Sequence, residues 1–324
     1  MKLTTLLNAK KVARKLVFYG YWSPQMKQGM KSALNMVLFQ HQLMKQGIKR
    51  KKMGGTAEFS KVGRRIVVDW RTGSDPEHAA AIAKDFDRLF SIPELEFKDG
   101  TIDFTSEISL MGYSVRTNFG MALELSGMID YNKHYKVKEG DIVFDCGAFH
   151  GIYALWISKQ VGENGRVYCF EPDEKNILVL RDNLGRNGIK NVTIVKKGMW
   201  KNEGKMSFVQ GNEATSSIAF SGQAGDDAVE INVTTIPDFF KSQNLSKLDF
   251  VKMDIEGAEI EVVEGCLDFI KSHPVNFGIA SYHLRDGQET CHALEALFRA
   301  AGYEAKTEVT DTITTYAWPK ASEK

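Results

Sequence analysis

The stretch from Asp141 to Pro172 constrains the fold of this chain more than any other part of the sequence. Its apolar run over residues 142–146, bounded by glycines, predicts a buried parallel strand. A glycine-rich turn follows, and an apolar-periodic segment from Ile152 predicts a helix. A second apolar run over residues 166–170 ends in Glu171. The stretch therefore predicts a strand–helix–strand unit with a glycine turn after its first strand and an acid at the end of its second.

The glycine turn indicates a nucleoside site. Glycines let the backbone approach a ligand, the start of a helix offers free N–H groups, and an acid about 20 residues further on suits a ribose diol. The spacing Gly147-x-x-x-Gly151 differs from the Gly-x-Gly-x-x-Gly of pyrophosphate binders. Asp145 would repel a phosphate but could accept a hydrogen bond from an ammonium group. We therefore predict S-adenosylmethionine ahead of NAD; the alternative is an ordinary turn with a helix-capping Asp.

Two later motifs join the turn and together suggest a family. The three motifs are Asp145-x-Gly-Ala-x-x-Gly151, Phe170-Glu-Pro172 and Lys252-Met-Asp-Ile-Glu-Gly-Ala-Glu259. In this order they resemble the FkbM family of S-adenosylmethionine-dependent O-methyltransferases, over roughly residues 137–319. The family commonly has Asn where Phe149 stands and an aliphatic residue where His150 stands.

Strand and helix patterns alternate from Asp141 onward, which predicts an α/β fold with a doubly wound, mostly parallel sheet. The resemblance implies the seven strands of a Rossmann-like methyltransferase, with residues 303–309 and 313–318 as the closing antiparallel hairpin. We predict that the following residues bind the cofactor: Asp145, Gly147, Ala148, Phe149, Gly151, Glu171 and Gly198.

Four ionisable residues lie at the ends of predicted strands: Asp145, Glu171, Asp254 and His283. Ligands of such sheets bind beyond the carboxyl ends of the strands, so we expect these side chains to converge on one rim. Asp254, Glu256 and His283 would serve the acceptor. Methyl transfer to an alcohol needs an in-line approach and removal of a proton. His283, with an ordinary pKa near 6.5, is the first candidate for the base and Asp254 the second; a structural, half-buried imidazole is the alternative.

Neighbouring acids leave two further questions. The family commonly carries an acid two residues before this His, but Ser281 stands there, so Asp254 or Glu256 would have to orient the imidazole of His283. Asp254, Glu256 and Glu259 could hold magnesium, as in catechol-type methyltransferases. Acids are also favoured at a helix N-terminus, and we predict no metal.

The N-terminal part is strongly basic. Residues 1–57 carry twelve Lys or Arg and no acid, whereas the remaining residues carry 30 basic and 41 acidic side chains. An amphipathic helix followed by Phe18-Tyr-Gly-Tyr-Trp22 is typical of an interfacial anchor, and a second helix is predicted from Ser23-Pro24 to Lys49-Arg-Lys-Lys52. We expect peripheral membrane contact through residues 1–55. The alternatives are a nucleic acid, and packing on the enzyme or on a second subunit.

The lead-in before the first core strand is predicted to be α+β. It comprises a strand over residues 65–70, a helix from the Ser74-Asp-Pro-Glu77 capping box to about Phe90, and a hairpin at Asp99-Gly100. The predicted regions are 1–55 (basic and helical), 56–130 (α+β, covering the cofactor cleft) and 131–324 (methyltransferase).

The compartment follows from what the sequence lacks. No apolar run reaches the length of a membrane span, and the N-terminus does not resemble a secretory signal. The four cysteines have no Cys-x-x-Cys spacing and predict buried thiols in a reducing cytoplasm: Cys146, Cys169, Cys266 and Cys291. We predict a cytoplasmic protein, peripheral at the inner membrane surface if the N-terminal segment binds lipid.

We expect an O-methyltransferase that acts on a sugar, glycan or small hydroxylated metabolite, and homo-oligomers fit this picture. The second hypothesis is an RNA methyltransferase that uses the basic arm on phosphate, although an Asn-Pro-Pro-Tyr-type motif and a recognisable RNA-binding module are absent from the sequence. The third is a non-catalytic nucleoside-binding protein. Asp145, Glu171 and Asp254 together disfavour it.

Overall fold

A computed structural model of the chain describes residues 43–69, 76–123, 128, 130–209, 217–218, 228–285, 287–309 and 312–320. The chain divides into two units, Met1–Ile108 and Ser109–Lys324. The predicted three-region division stays a prediction, and the first predicted helix lies outside the described residues. None of the described helices combines the length and apolar composition needed to cross a bilayer.

The first unit contains a small mixed sheet and one described helix. Its elements are β1 Lys49–Met53, β2 Thr56–Lys61, β3 Arg64–Asp69, α1 Pro76–Leu89, β4 Leu95–Glu96 and β5 Thr101–Asp103. Strands β1, β2 and β3 pair antiparallel, and β5 pairs parallel with β3. The strand predicted over residues 65–70 is present as far as Asp69, and the helix predicted from the capping box to about Phe90 is present over Pro76–Leu89; Trp70, Ser74 and Asp75 lie outside the described residues.

Two local predictions for this unit are wrong. The second helix does not continue to Lys52, because the helical conformation ends after Lys45. Gly47 adopts a φ of 70°, and the amide of buried Ile48 donates to the Leu43 carbonyl over 2.9 Å, which is how a left-handed glycine ends a helix. The residues Lys49–Met53 are instead strand β1, and Gly54-Gly55 forms the turn into β2.

The Asp99-Gly100 turn forms, with φ values of 51° and 66°, but the strands before and after it, β4 and β5, do not pair as a hairpin. One bridge, Lys98 to Thr101, closes it. Beyond the bridge β5 pairs with β3, where Ile102 lies opposite Ile66, and both side chains are buried. Burial of Ile66 and Ile102 therefore favours the pairing of β5 with β3 over the hairpin that the Asp99-Gly100 turn predicts.

The second unit contains the large sheet. Its elements, starting from the strand at the junction, are β6 Ile108–Leu110, β7 Tyr113–Val115, α2 Phe119–Leu123, β8 Ile142–Cys146, α3 Ile152–Val161, β9 Arg166–Phe170, α4 Glu174–Arg186, β10 Val192–Val195, β11 Gly198–Met199, β12 Gly204–Val209, β13 Ser217–Ile218, β14 Ala228–Thr234, α5 Ile236–Ser242, β15 Phe250–Met253, α6 Glu259–Ser272, β16 Asn276–Ala280, β17 Leu284–Arg285, β18 Gln288–Glu289, α7 Cys291–Ala300, β19 Tyr303–Val309 and β20 Ile313–Pro319.

The predicted seven-stranded α/β sheet is confirmed. Its strand order is β10-β9-β8-β15-β16-β20-β19, with parallel pairing through β16 and an antiparallel closing hairpin, β19–β20. The chain runs outward from β8 to β10 on one side and from β15 to β16 on the other. The strand order therefore reverses between β8 and β15, and this is where ligands bind in such sheets.

The central strands are buried on both faces of the sheet and supply much of the core. Phe144 on β8 meets Phe170 and Phe239 edge to face, with ring centroids 5.3 and 5.4 Å apart. Aromatic pairs in this geometry stabilise a core beyond their buried area. The same core includes side chains from α5, α6 and α7, whereas α3 contacts β8 and β9 without joining it. The core thus fixes one face of β8 and leaves its carboxyl end for the turn.

Two elements of this unit differ from what their sequence pattern predicts. The pattern of residues 286–301 predicts one helix, but the helix begins only at Cys291, because Gly287, with a φ of 80°, turns the chain into the short β17–β18 hairpin. The alternating pattern of residues 229–236 predicts a strand, but the strand ends at Thr234, and Thr235 caps helix α5 by accepting from the Asp238 amide over 3.0 Å.

A buried ion pair joins the two strands at the switch point. Lys252 on β15 lies 3.1 Å from Asp145 Oδ1 on β8, and its ammonium donates to the Gly147 carbonyl over 2.8 Å. The side chains are 7% and 0% exposed. Losing one member of such a pair leaves an uncompensated buried charge, which is far more costly than losing both.

We predict that Lys252→Met lowers the free energy of unfolding by about 3–5 kcal/mol, since it strands the Asp145 carboxylate in the core. The double variant Asp145→Asn/Lys252→Met should recover much of this loss. Urea denaturation of the full chain measures both. Lys271→Met, which removes a surface pair with Asp268, is the control and should unfold close to the wild-type midpoint. Equal midpoints for Lys252→Met and the wild type would contradict the assignment.

Candidate active site

The glycine turn after β8 is held by hydrogen bonds within the protein. The amides of Gly147 and Ala148 both donate to the Phe170 carbonyl, over 3.0 and 3.1 Å, and the Gly151 amide donates to the Ala148 carbonyl over 2.8 Å. The turn is thus rigid, and these three amides already donate to backbone carbonyls of the protein. The expectation that this turn offers free N–H groups does not hold for these three residues.

The two turn glycines are required by space as well as by conformation. Both have a φ of 78°. A Cβ on Gly147 would lie 1.8 Å from the Asp254 carbonyl oxygen, and one on Gly151 would lie 2.1 Å from Leu180 Cδ1. The first contact brings the predicted cofactor turn against the start of the predicted acceptor loop.

Glu171 ties the turn to the end of β9. Its Oε2 accepts from the Phe149 amide over 2.9 Å, and its Oε1 accepts from the Asp173 amide over 2.9 Å and from Asn176 Nδ2 over 3.3 Å. Burial raises the pKa of Glu171 to about 7, against the opposing effect of these donors. A carboxylate has further lone pairs, so Glu171 can still accept from a ribose hydroxyl.

The two departures from the family pattern lie side by side. The rings of Phe149 and His150 stack at 3.8 Å. Burial lowers the pKa of His150 to about 4, which favours the neutral imidazole, and its Nδ1 lies at hydrogen-bond distance, 3.3 Å, from the Thr117 hydroxyl. Asn183 Nδ2 donates to the His150 carbonyl over 2.8 Å and to the Arg116 carbonyl over 2.9 Å, which fixes the backbone here.

The sequence predicts that Asp145 accepts from the ammonium group of a cofactor, but the ammonium group next to its carboxylate in the structure is that of Lys252. Lys252 pairs with this carboxylate and also lies over the rings of Tyr131 and Tyr153, 5.6 and 5.8 Å from their centroids. Burial raises the pKa of Asp145, and Lys252 opposes that shift. Contact between Asp145 and a cofactor ammonium stays a prediction.

The structure brings Asp254, Glu256 and His283 together beyond the ends of β15 and β16. Asp254 Oδ1 and Glu256 Oε2 each lie 3.7 Å from His283 Nε2. Glu259, buried at the start of α6, lies 3.0 Å from His283 Nδ1. The Tyr131 hydroxyl donates to Asp254 Oδ2 over 3.0 Å. The group is called the acid–histidine cluster below: Asp254, Glu256, Glu259 and His283.

The surroundings of His283 alter its expected charge. Burial lowers its pKa, but the hydrogen bond and charge of Glu259 and the charges of Asp254 and Glu256 outweigh burial and raise the pKa to about 9. These carboxylates favour the protonated imidazole, which argues against the predicted role of His283 as a neutral base. The carboxylate that orients it at Nδ1 is Glu259, rather than the expected Asp254 or Glu256.

The loop that carries two of these acids is rigidly anchored. Glu259 Oε1 accepts from the amides of Ile255 and Gly257 over 3.1 and 3.2 Å. Arg285 donates to the Gly257 carbonyl over 2.7 Å. Glu256 has a φ of 58°, which is uncommon for a residue with a side chain and is concentrated at functional sites.

Gly198 lies away from this arrangement in the fold. It belongs to β11, which pairs with β14 in a separate sheet of order β11-β14-β12-β13. Its position follows β10, whose Val195 carbonyl accepts from the Glu171 amide over 3.2 Å. Its role at the cofactor stays a prediction.

Sequence reasoning missed several side chains that build the site. Lys252 carried a usable signal, because a lysine inside an apolar strand needs a buried carboxylate partner. The sequence offers two roles for Glu259, a metal ligand or an acid at a helix start, and its hydrogen bonds to nearby amides fit the second; its contact with His283 is not predicted. Tyr131 and Asn176 had no comparable signal, since nothing in their local pattern indicates a partner in the site.

Comparison with known proteins agrees with this architecture. Residues 145–305 match the family model described as the methyltransferase FkbM domain. The chain is 25% identical over 200 residues to the hexuronic acid methyltransferase AglP of Haloferax volcanii, covering 58% of this chain and 79% of that protein. It is 31% identical over 161 residues to the ribosomal protein L11 methyltransferase of Caldanaerobacter subterraneus, covering 49% of this chain and 42% of that protein.

Among solved structures, an S-adenosylmethionine-dependent methyltransferase from Aquifex aeolicus aligns with 59% of this chain and 88% of its own length, at 18% identity and a TM-score of 0.36. The family match covers the glycine turn, Glu171 and the acid–histidine cluster in one continuous stretch. Residues 145–305 thus form a methyltransferase FkbM domain, and the protein is an S-adenosylmethionine-dependent methyltransferase.

Proposed function

We propose that the protein transfers the methyl group of S-adenosylmethionine to a hydroxyl of a sugar or a related small metabolite. The observation that carries this proposal is the acid–histidine cluster, whose loop contacts the glycine turn at the switch point of the sheet. Acids beside a methyl donor are suited to an acceptor that must lose a proton as it reacts. Both groups stand on rigid elements, which favours an in-line approach.

The residues at the turn fit the cofactor. In this proposal Glu171 accepts from the ribose hydroxyls, while the backbone from Gly147 to Gly151, including Ala148 and Phe149, packs against the nucleoside. Three donors inside the protein already orient the Glu171 carboxylate, which supports a fixed acceptor role. When bound, S-adenosylmethionine supplies a methyl group that its sulfonium has already activated.

Asp254 is the proposed proton acceptor. Its side chain is 24% exposed and that of Glu256 30% exposed, whereas the imidazole of His283 is 9% exposed and lies behind them. The acceptor oxygen bonds to the methyl carbon as the carbon–sulfur bond breaks, and the hydroxyl proton passes to Asp254. His283 positions Asp254 and Glu256 from behind, and its own orientation is set by Glu259.

A relative's acceptor supports the sugar class. AglP is described as a hexuronic acid methyltransferase, and this chain spans 79% of its length. A hexuronic acid offers hydroxyls next to a carboxylate.

The acceptor class is tested by mass spectrometry with deuterated methyl donor. The full chain is incubated in parallel with a glycan that contains hexuronic acid, a neutral glycan and ribosomal RNA. We expect the label on a sugar hydroxyl. Label found only in RNA would contradict the proposal and favour the runner-up, in which the basic residues of the first 57 positions hold phosphate.

We predict that cofactor affinity falls as the pH drops below about 7. The raised pKa of Glu171 means that its carboxylate, the stronger acceptor, becomes protonated in that range, and its ionised fraction falls roughly tenfold between pH 8 and pH 6. Calorimetric titration with S-adenosylhomocysteine should show up to about tenfold weaker binding at pH 6.

Glu171→Gln is the matched control for this pH effect. It should bind the same ligand about 1–3 kcal/mol more weakly at pH 8, because a neutral amide replaces the charged acceptor, and its affinity should not change with pH. Wild-type affinity that is equal at pH 6 and pH 8 would show that Glu171 does not hold the ribose.

We predict that Asp254→Asn lowers turnover about 10²–10⁴-fold, the usual contribution of a general base, while affinity for S-adenosylhomocysteine stays within about twofold. The labelled-methyl assay with the identified acceptor measures the rate, and calorimetry measures the affinity. Asp268→Asn, a change of the same kind at the exposed Asp268 of α6, should leave both unchanged. Loss of cofactor binding by Asp254→Asn would place Asp254 in the cofactor site instead.

A further inference from the structure

We infer that Asp254, Glu256 and His283 form a binding site for a divalent metal ion. The three residues offer two carboxylate oxygens and one imidazole nitrogen, all within 4.8 Å of one another. The sequence predicts a metal-free site, with Asp254, Glu256 and Glu259 as the alternative ligand set. In the structure Glu259 stands on the far side of the imidazole, and His283 takes its place as a ligand.

The spacing of the three atoms suits one ion. His283 Nε2 lies 3.7 Å from each of the two carboxylate oxygens. Two ligands each about 2.1 Å from a metal ion lie roughly 3–3.5 Å apart in tetrahedral or octahedral geometry. A shift of a few tenths of an ångström would therefore bring the imidazole nitrogen and either carboxylate oxygen to the spacing of two ligands on one ion, and the two oxygens lie within 4.8 Å of each other.

Two buried atoms point into this space without a hydrogen bond. Within the part of the chain that the structure describes, neither His283 Nε2 nor Asp254 Oδ1 has a hydrogen-bond partner. The His283 side chain is more than nine-tenths buried. Buried polar atoms are almost always paired, so an orphaned nitrogen and an orphaned oxygen that face each other indicate a missing ligand.

The groups behind the three ligands are arranged as metal sites require. A ligating histidine usually donates its second ring N–H to a carboxylate, which fixes its tautomer and turns the other nitrogen toward the ion. Glu259 Oε1 lies 3.0 Å from His283 Nδ1, which places this carboxylate for that role, although the contact is an ion pair outside hydrogen-bond geometry in the structure. The Tyr131 hydroxyl holds the second oxygen of Asp254 in the same way. Both supports leave Nε2 and Oδ1 beside the site, where a bound ion would displace the Nε2 proton to solvent.

The donor set narrows the class of ion. An imidazole with two carboxylates suits manganese, iron or zinc, whereas magnesium prefers oxygen ligands throughout. With only three protein ligands, coordination positions remain for other groups. The catalytic consequence rests on the proposed function: an acceptor hydroxyl that binds the ion would lose its proton more readily, and the proton would pass to Asp254 or solvent.

The test is titration of the metal-free full chain with Mn²⁺, followed by the electron paramagnetic resonance signal of the free ion, without acceptor or cofactor. We expect one bound ion per chain. His283→Gln and Glu256→Gln should each weaken binding at least tenfold, and Glu259→Gln should weaken it about 10–100-fold through the imidazole orientation. Affinity for S-adenosylhomocysteine shows that each variant is folded.

Two further variants locate the ion. His273→Gln makes the same substitution at the end of α6 and should bind Mn²⁺ like the wild type. His292→Gln tests the other described group with ligand spacing, Glu289, Cys291 and His292, and should also bind normally.

Absence of binding by the wild type, unchanged binding by both His283→Gln and Glu256→Gln, or loss of binding by His292→Gln would each overturn the inference. The Mn²⁺ titration needs no acceptor, so its result does not depend on whether the acceptor is a sugar. A bound ion together with label found only in RNA would refute the proposed acceptor and support the metal site.

Discussion

The ion pair between Lys252 and Asp145 is the interaction on which both halves of the site depend. It joins β8 to β15, the two neighbouring strands between which the strand order reverses. The same ammonium holds the Gly147 carbonyl, so one buried charge fixes the strand end, the turn and the neighbouring strand together. Aromatic rings enclose it and exclude water, which strengthens the attraction and makes its loss costly.

The fold could be predicted from the sequence to a large extent, because buried parallel strands appear as apolar runs. The residues that begin and end each run are its neighbours in the sequence. The βαβ unit from residue 141 and the closing hairpin are examples. Predictions failed where pairing partners are distant. Nothing near Asp99 and Gly100 indicates that Ile102 will lie opposite Ile66, and four consecutive basic residues fit a helix end as well as they fit the exposed strand β1.

The sequence predicts that Asp254, Glu256 and His283 lie together, but not which residues support them or how their charges interact. Strand ends bring Asp254 and His283 to one edge by topology alone, which a sequence reveals. Protonation depends on neighbours that topology does not reveal. His150 and His283 are both largely buried, yet the pKa of the first falls to about 4 and that of the second rises to about 9. The difference is the set of carboxylates around His283, of which Glu259 is the closest.

The contact between Gly147 and the Asp254 carbonyl limits how this enzyme can diversify. A side chain cannot be added at position 147 without moving the backbone at 254, and that backbone cannot shift inward without striking the turn. New acceptor preferences must therefore arise from side chains around the loop, while the two backbones retain their spacing. An engineer who wishes to change the acceptor should keep these two positions fixed and vary exposed residues beside His283 in the sequence, such as Tyr282 and Leu284.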